Sequence, residues 1–431
     1  MSNSLGILRS NTFGSRPASS SQPAGSPYVN FADKQFGVVD GGQIPQDLIG
    51  VPFFSTTSNY NTGQPVNYLG SLYVALSTVV AGPWNVTQWS PVATTNLIVP
   101  SLEYSYSGMQ TNGGMDISQF NGNTVVNLTS GSGSFIVDGW MSGFTAATSG
   151  ATFTSNQVAN PNWGLNNALQ LKCGVAATNS GTMDWAGVLT SIEGYRMARL
   201  DWGFSNASPI TISFWINCTV TGTFCVDVRN GAGNRNYLSN VVYTAAGVWQ
   251  YCQVTVPGDT IGTWALTNAT GMTILLIFGA GSGYLGAANT WQVGDLRKTS
   301  STTNFFGTAN NIVNVTGFTV VQGTSGPSSL QSVAIARNYV QELSLCKRYY
   351  NRQQINIDFQ AAGAAHVNIG SYFFSMRATP TATVVSVSQS NNNNNTLTNT
   401  NASATGGAFQ LQATAAGRCY YYGTWQFDAR I

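Results

Sequence analysis

Any chemistry this chain performs must be built from a single histidine, His366, six cysteines and fifteen carboxylates. A Ser-His-Asp triad or a His-rich metal site would have to form around that one imidazole. In AHVNIGSY, Val367 and Ile369 share one strand face, which leaves His366 on the opposite, wet one. No GxSxG, HExxH or GxxxxGKS/T string occurs. Glycoside hydrolysis needs only two carboxylates, and Asp116, Asp138, Glu193 and Asp201 are available. They are dispersed, however, and a lone acid such as Asp138 in VDGW reads as a turn or capping residue. The expectation is therefore a protein that is not an enzyme, with no catalytic residue, no metal site and no cofactor.

The cysteines, at 173, 218, 225, 252, 346 and 419, show no CxxC and no zinc spacing. Cys218 and Cys225 flank what reads as a hairpin, ISFWINCTVTGTFCVDVRN. Placing Phe214, Ile216, Cys218 and Val220 on one face with Phe224, Val226 and Val228 requires a three-residue loop. Cys218 then pairs with Val226 and Cys225 turns away. Buried, reduced thiols are expected.

Composition points to strands. Charged residues are 7% of the chain, against roughly 25% in ordinary soluble proteins. Aromatics reach 12% and glycines number 47, which excludes the disordered class. Short strands joined by many turns, clad in amide and hydroxyl groups, fit this mixture. Such a surface is tolerable where identical subunits cover it or where it meets neutral polar partners such as glycans. The net charge is +2 and no basic run is longer than Lys347-Arg348, so the electrostatic footprint of a nucleic-acid binder is missing. The N-terminus carries no apolar signal segment. MTILLIF, Met272 to Phe278, is far shorter than the ~20 residues that span a bilayer. No membrane insertion and assembly in a cytoplasm are expected.

Along the chain, residues 1–27 read as an extended Ser/Pro/Gly-rich arm, and 28–50 as a strand pair (YVNFADKQFGVVDGG) with an Asp-Lys turn. A small β module follows at 51–94. Residues 95–325 read as a sandwich or jelly roll, with runs such as TVVNLT, ITISFWINCTV, WQYCQVTV and MTILLIFGA. Residues 326–355 hold a linker and one short helix, and 356–431 form a C-terminal β domain. Asn391–Asn395 with TLTNTNASATGG reads as an exposed, mobile loop. The helix lies in RNYVQELSLCKRYYNRQQ, which concentrates five charges in sixteen residues. Tyr339, Leu343, Cys346 and Tyr350 form its apolar stripe, with the charges on a solvated or symmetry-packed face.

These strings resemble a known family. RSNTFGSRPASSSQPAGSPYVNFADKQFGVVD resembles the virion-anchoring ends of tailed-bacteriophage fibre proteins. The run from Tyr60 through VNYLGSLYVA to NVTQWSPV is similar to small aromatic chitin-binding carbohydrate modules. NGGMDISQFNG, FIVDGW, the long stretch from IEGYRMARLDWG to NTWQVGD, ELSLCKRYY and SMRATPT resemble the body of phage tail fibres. The resemblance covers most of residues 8 to 385. It implies an elongated, mainly β, multi-domain fibre that forms a homotrimer, with ELSLCKRYY as a hinge helix between body and tip. It also implies attachment to other virion proteins (baseplate, neck or collar) through residues 1–50, and a virion location. Bacterial surface polysaccharide would be the external partner. Sugars stack on aromatic faces through their C–H groups, so Tyr68, Tyr73, Trp84 and Trp89 are candidate contacts in the first module. Tyr420, Tyr421, Tyr422 and Trp425 are the candidates near the C-terminus. A neck, collar or head fibre that does not read the receptor, and a depolymerase tailspike, are the alternatives.

Overall fold

The computed structural model describes residues 8–10, 27–30, 35–39, 45–49, 54–68, 71–91, 108–146, 150–160, 164–176, 181–304, 307–334, 336–371, 375–390 and 394–431. The chain divides into two compact units, Met1–Pro100 and Ser101–Ile431. The first holds a four-stranded sheet ordered β1-β2-β3-β4: Leu8–Ser10, Pro27–Asn30, Gln35–Val39 and Pro45–Ile49. The expected strand pair is β2 and β3, with Tyr28 opposite Gly37. Its turn, and most of the arm at 1–27, lie outside the described residues. The small module carries β5 (Pro65–Tyr68), β6 (Ser71–Ala75) and β7 (Trp89–Pro91) in one antiparallel sheet. Tyr60, Val66, Ala75, Val79 and Trp89 form its core.

The second unit is mainly a β-sandwich. Its strands are β8 (Val126–Asn127), β9 (Ser132–Val137), β10 (Trp140–Thr145), β11 (Phe153–Ala159), β12 (Asn167–Cys173), β13 (Trp185–Glu193) and β14 (Ile210–Cys218). They continue as β15 (Gly222–Asn230), β16 (Arg235–Tyr243), β17 (Gln250–Val256), β18 (Thr270–Ala280), β19 (Trp291–Val293) and β20 (Ile312–Gln322). A seven-stranded sheet runs β19-β16-β15-β18-β13-β10-β9, and a six-stranded sheet runs β17-β14-β20-β12-β11-β8. Period-two alternation builds the core between them. In β14, Ile210, Ile212, Phe214, Ile216 and Cys218 all point inward and are at most 1% exposed.

The hairpin expected around Cys218 and Cys225 does not form. β14 and β15 belong to opposite sheets, so residues 219–221 are a crossover and Cys218 does not pair with Val226. The face assignment survives for a different reason. Phe214, Phe224 and Val226 meet across the core, while Cys225 turns outward into a second apolar cluster with Leu238, Leu275 and Ile277. All six thiols are buried.

Three short α-helices occur among the described residues: α1 (Gly194–Met197), α2 (Ser329–Ala334) and α3 (Tyr339–Lys347). Asn338 caps α3 by accepting from the Gln341 backbone N–H at 3.0 Å. The apolar stripe read from the sequence is only partly the buried face, since Cys346 and Tyr350 are buried and Tyr339 is not. Tyr339 is 60% exposed, Tyr350 already belongs to the next strand, and the packed residues are Glu342, Cys346 and Tyr349. The stripe is incomplete because the helix buries charge.

The C-terminal strands are β21 (Tyr350–Ala361), β22 (Ala365–Ser371), β23 (Thr381–Ser390), β24 (Asn394–Ser403), β25 (Gly406–Ala413) and β26 (Gly417–Asp428). They make two three-stranded sheets, β21-β26-β23 and β22-β25-β24. Phe409 and Leu411 from one sheet and Ile357, Tyr421, Trp425 and Phe427 from the other share a core. The loop expected after Asn391 is mostly β24, whose backbone pairs with β25, Leu397 opposite Leu411. Pairing overrides the low strand propensity of asparagine there; 391–393 lie outside the described residues. His366 is in β22 opposite Gln412, and its side chain is outside the described set.

Candidate functional site

In the first module the candidate rings are occupied with one another. Trp84 has Tyr68 stacked on one face, with centroids 3.9 Å apart at 6°, and Trp89 on the other at 4.9 Å and 12°. Tyr73 and Phe54 meet Trp84 edge-on. Trp89 is 2% exposed and is therefore a core residue, which corrects its assignment as a sugar contact. Tyr68, Tyr73 and Trp84 are half-buried. Among the described residues, the exposed large apolar side chains of this module are aliphatic: Leu76, Val80 and Val86.

At the C-terminus, alternation along β26 separates the four candidates into two pairs. Cys419, Tyr421, Trp425 and Phe427 point into the core. The Trp425 indole N–H donates to the Tyr421 hydroxyl at 3.0 Å, and Phe409 meets Trp425 edge-on. Tyr421 and Trp425 are thus structural, which corrects their assignment as sugar contacts. Tyr420 and Tyr422 point to the other face, centroids 5.6 Å apart at 32°.

On that outer face β21 contributes Gln354, Asn356, Asp358 and Gln360, all exposed. Asp358 lies opposite Tyr420, and Asn356 opposite Tyr422. Arg418 Nε and Nη2 donate to the two Asp358 carboxylate oxygens at 3.0 and 2.5 Å, and the Tyr422 hydroxyl donates to Oδ2 at 2.8 Å. The Arg418 guanidinium also lies over the Tyr420 ring at 5.1 Å. Hydrogen bonds from Arg418 and then Tyr422 hold the Asp358 carboxyl down to about 2. The result is two tilted aromatic rings fixed by a charged fork and bordered by amides. Such a face can stack a pyranose and satisfy its hydroxyls.

The charges of the helix segment sit where the C-terminal domain meets the sandwich. Arg348 grips Glu193 at the end of β13, Nε to Oε2 at 2.9 Å and Nη2 to Oε1 at 2.6 Å, and the Tyr349 hydroxyl adds a 3.0 Å bond. Arg337 donates to Glu342 at 3.2 Å and to the Gln110 carbonyl at 3.1 Å. The Arg430 guanidinium lies over Phe135 at 4.2 Å and Tyr350 at 4.6 Å.

The four acids available to hydrolysis all have structural partners. Glu193 is in the fork just described, and Asp116 accepts from Asn167 at 2.8 Å. Asp201, at φ +54°, accepts from Asn206 at 2.8 Å. Asp138 accepts the Gln119 backbone N–H at 2.9 Å and its side-chain amide at 2.5 Å, and that amide also donates to the Tyr350 carbonyl.

Asp138 also makes the junction pH-sensitive. Burial pushes its carboxyl up to about 6 from 3.8, against the hydrogen bonds from Gln119 and the charges of Arg430 and Arg352. Between those values the folded chain holds a proton that the unfolded chain has released. Stability from this site therefore rises as pH falls from about 7 to about 4, by on the order of 2–3 kcal/mol. Urea unfolding across that range should show the rise, and Asp138→Asn should flatten it.

No family model and no curated protein sequence matches the chain. Similar solved structures include the enzymatically active domain of tailspike protein 4 from bacteriophage CBA120, at 10% identity and TM-score 0.25. That similarity covers 51% of this chain and 22% of the tailspike chain. A second is the family 11 carbohydrate-binding module from Clostridium thermocellum, in complex with a β-1,3-1,4-mixed-linked tetrasaccharide. It is 13% identical with TM-score 0.24, covering 47% of this chain and 98% of that one. A third is a putative sugar binding protein from Bacteroides thetaiotaomicron, 11% identical with TM-score 0.28, covering 50% of this chain and 99% of that one.

Proposed function

We propose that this chain is a non-enzymatic structural fibre of a tailed bacteriophage, assembled in the host cytoplasm, whose C-terminal domain attaches to bacterial surface glycans. The observation that carries the glycan reading is the outer face of the β21-β26-β23 sheet, where Tyr420 and Tyr422 lie side by side against the Asp358–Arg418 pair. Two adjacent rings offer a stacking surface, and Asn356, Gln354 and Gln360 border it with donors and acceptors. The virion role rests on the sequence strings, with residues 1–50 as the segment that docks on baseplate, neck or collar. Self-association into a homotrimer is supported by β23, a sheet edge on which Val384, Val385 and Val387 are 40–50% exposed.

Stacking a sugar on each ring is worth ~1–2 kcal/mol of buried apolar surface. A Tyr420→Ala/Tyr422→Ala variant should therefore lose roughly tenfold or more per ring in host-cell adsorption or glycan-array binding. The fold should persist, because both rings lie outside the core. Unchanged adsorption by the folded variant would remove this face from attachment. Sedimentation of the purified chain as a 45.7 kDa monomer would remove the trimer.

A further inference from the structure

The outer face of the six-stranded sheet carries a row of amides that none of the preceding roles uses. Asn156 on β11 is opposite Gln170 on β12, Gln170 is opposite Asn314 on β20, and Asn314 is opposite Asn217 on β14. Four neighbouring strands thus present four amides in line, at the strand spacing of ~4.8 Å. Their chain neighbours Leu169, Leu171, Val313, Val315, Ile216 and Cys218 point into the core, so the row faces outward, and all four members are half-exposed.

The row is polarised. The Gln170 amide donates to Asn314 Oδ1 at 3.0 Å, and the Asn314 amide donates to Asn217 Oδ1 at 3.5 Å. That leaves an acceptor, Gln170 Oε1, at one position and a donor, Asn217 Nδ2, at another. Two residues along β14 from Asn217, Trp215 lies beside Tyr251 of β17, with ring centroids 5.1 Å apart at 50°. Both rings are half-exposed and held from behind: the Trp215 indole N–H donates to Ser332 of α2 at 3.0 Å, and the Tyr251 hydroxyl donates to the Pro327 carbonyl at 2.5 Å. Lys172 is the single charged side chain among the described outward positions of β11, β12, β14, β17 and β20.

We infer that this face is a second ligand site, separate from the C-terminal one, and that it takes an extended neutral polysaccharide chain. The chemistry selects that class. A hydroxyl both donates and accepts, so a line of sugar hydroxyls can match a line of amides whose ends differ. An apolar partner would leave those amides unsatisfied, and an acidic chain would find one lysine. The strand spacing sets the amides about one sugar unit apart, and the Trp215–Tyr251 pair provides a stacking wall at the end of the row.

The test uses the full chain and linear hexasaccharides of β-1,4-linked glucose, β-1,4-linked N-acetylglucosamine and β-1,3-linked glucose, measured by titration calorimetry. Three variants are compared with the unaltered chain: Asn217→Leu/Asn314→Leu, Gln170→Glu and Tyr420→Ala/Tyr422→Ala. The inference expects at least one hexasaccharide to bind, with affinity falling tenfold or more in the first two variants while their melting temperatures hold. It also expects the tyrosine variant to retain that binding, which separates this site from the C-terminal face. Binding unaffected by both amide variants would overturn it, as would no binding by any of the three sugars. A change of sedimentation in the amide variants, with no change in sugar binding, would assign the face to contact between copies and overturn it equally.

Discussion

Replacing Arg348 by methionine should cost about 3–5 kcal/mol, because it leaves the Glu193 carboxylate buried without its counter-charge. Glu193 is 1% exposed and receives two bonds from Arg348 and one from Tyr349. Without the guanidinium, only the tyrosine hydroxyl remains on a carboxylate that is 1% exposed in the folded chain. The contact joins the start of the C-terminal domain to the last residue of β13, so the loss should fall on their coupling. Calorimetry of the variant should show the C-terminal strands melting ahead of the sandwich. The double change Glu193→Gln/Arg348→Met should recover much of the loss, since an amide can still accept from Tyr349 and no longer carries a charge. A single variant within about 1 kcal/mol of the parent would show that the pair is solvated in solution.

This contact explains why charge gathers in one short segment of a chain that otherwise avoids it. Apolar packing between two β domains is unselective, whereas a bidentate fork fixes one geometry. Arg348 on Glu193, Arg337 on the Gln110 carbonyl and Arg430 over Phe135 each fix the C-terminal portion at a different point.

The sandwich was legible in the sequence because its strands alternate cleanly. ITISFWINC shows its buried face directly, and the opposed faces around Cys218 and Cys225 came out correctly even though the turn between them did not. The error there was topological. Alternation says which side a residue faces, and it does not say which sheet a strand joins. The helix stripe came out incomplete because Glu342 was counted as a surface residue. A buried acid is legible only once its partners, Asn112 and Arg337, are known to be near, and the first is 230 positions away. At the C-terminus the parity of GRCYYYGTWQFDAR already separates Tyr420 and Tyr422 from Tyr421 and Trp425. Grouping all four as one aromatic cluster overlooked a period of two. The amide row gave no signal at all, since its members come from four strands spread over 158 positions between Asn156 and Asn314.

The second large effect is expected at Asn112, in the string NGGMDISQFNG. Its side chain is fully buried and holds three bonds: its amide donates to the carbonyls of Ile117 and Asp138 at 2.8 and 2.9 Å, and its Oδ1 accepts the Ile117 N–H at 3.0 Å. Its own backbone N–H donates to Glu342 at 2.5 Å. Asn112 also sits at φ +54°, a conformation that asparagine tolerates better than alanine does. Asn112→Ala strips partners from three buried backbone groups and adds backbone strain, so a loss of about 4 kcal/mol or more is expected. Asn112→Gly removes the same bonds and relaxes the backbone, so it should be less damaging than alanine by roughly 1 kcal/mol. Urea denaturation of the two variants separates the parts: equal losses would assign everything to hydrogen bonding, and a difference measures the left-handed backbone. The adjacent Gly113 is fixed by a different constraint, because a Cβ there would lie 2.0 Å from the Phe318 carbonyl oxygen. Within one string, then, the asparagine is required for what its side chain reaches and the glycine for what its missing side chain leaves open. Since Glu342 of α3 docks on the same turn, weakening Asn112 should also loosen the helix at the domain junction, and the melting order seen for Arg348→Met should recur in Asn112→Ala.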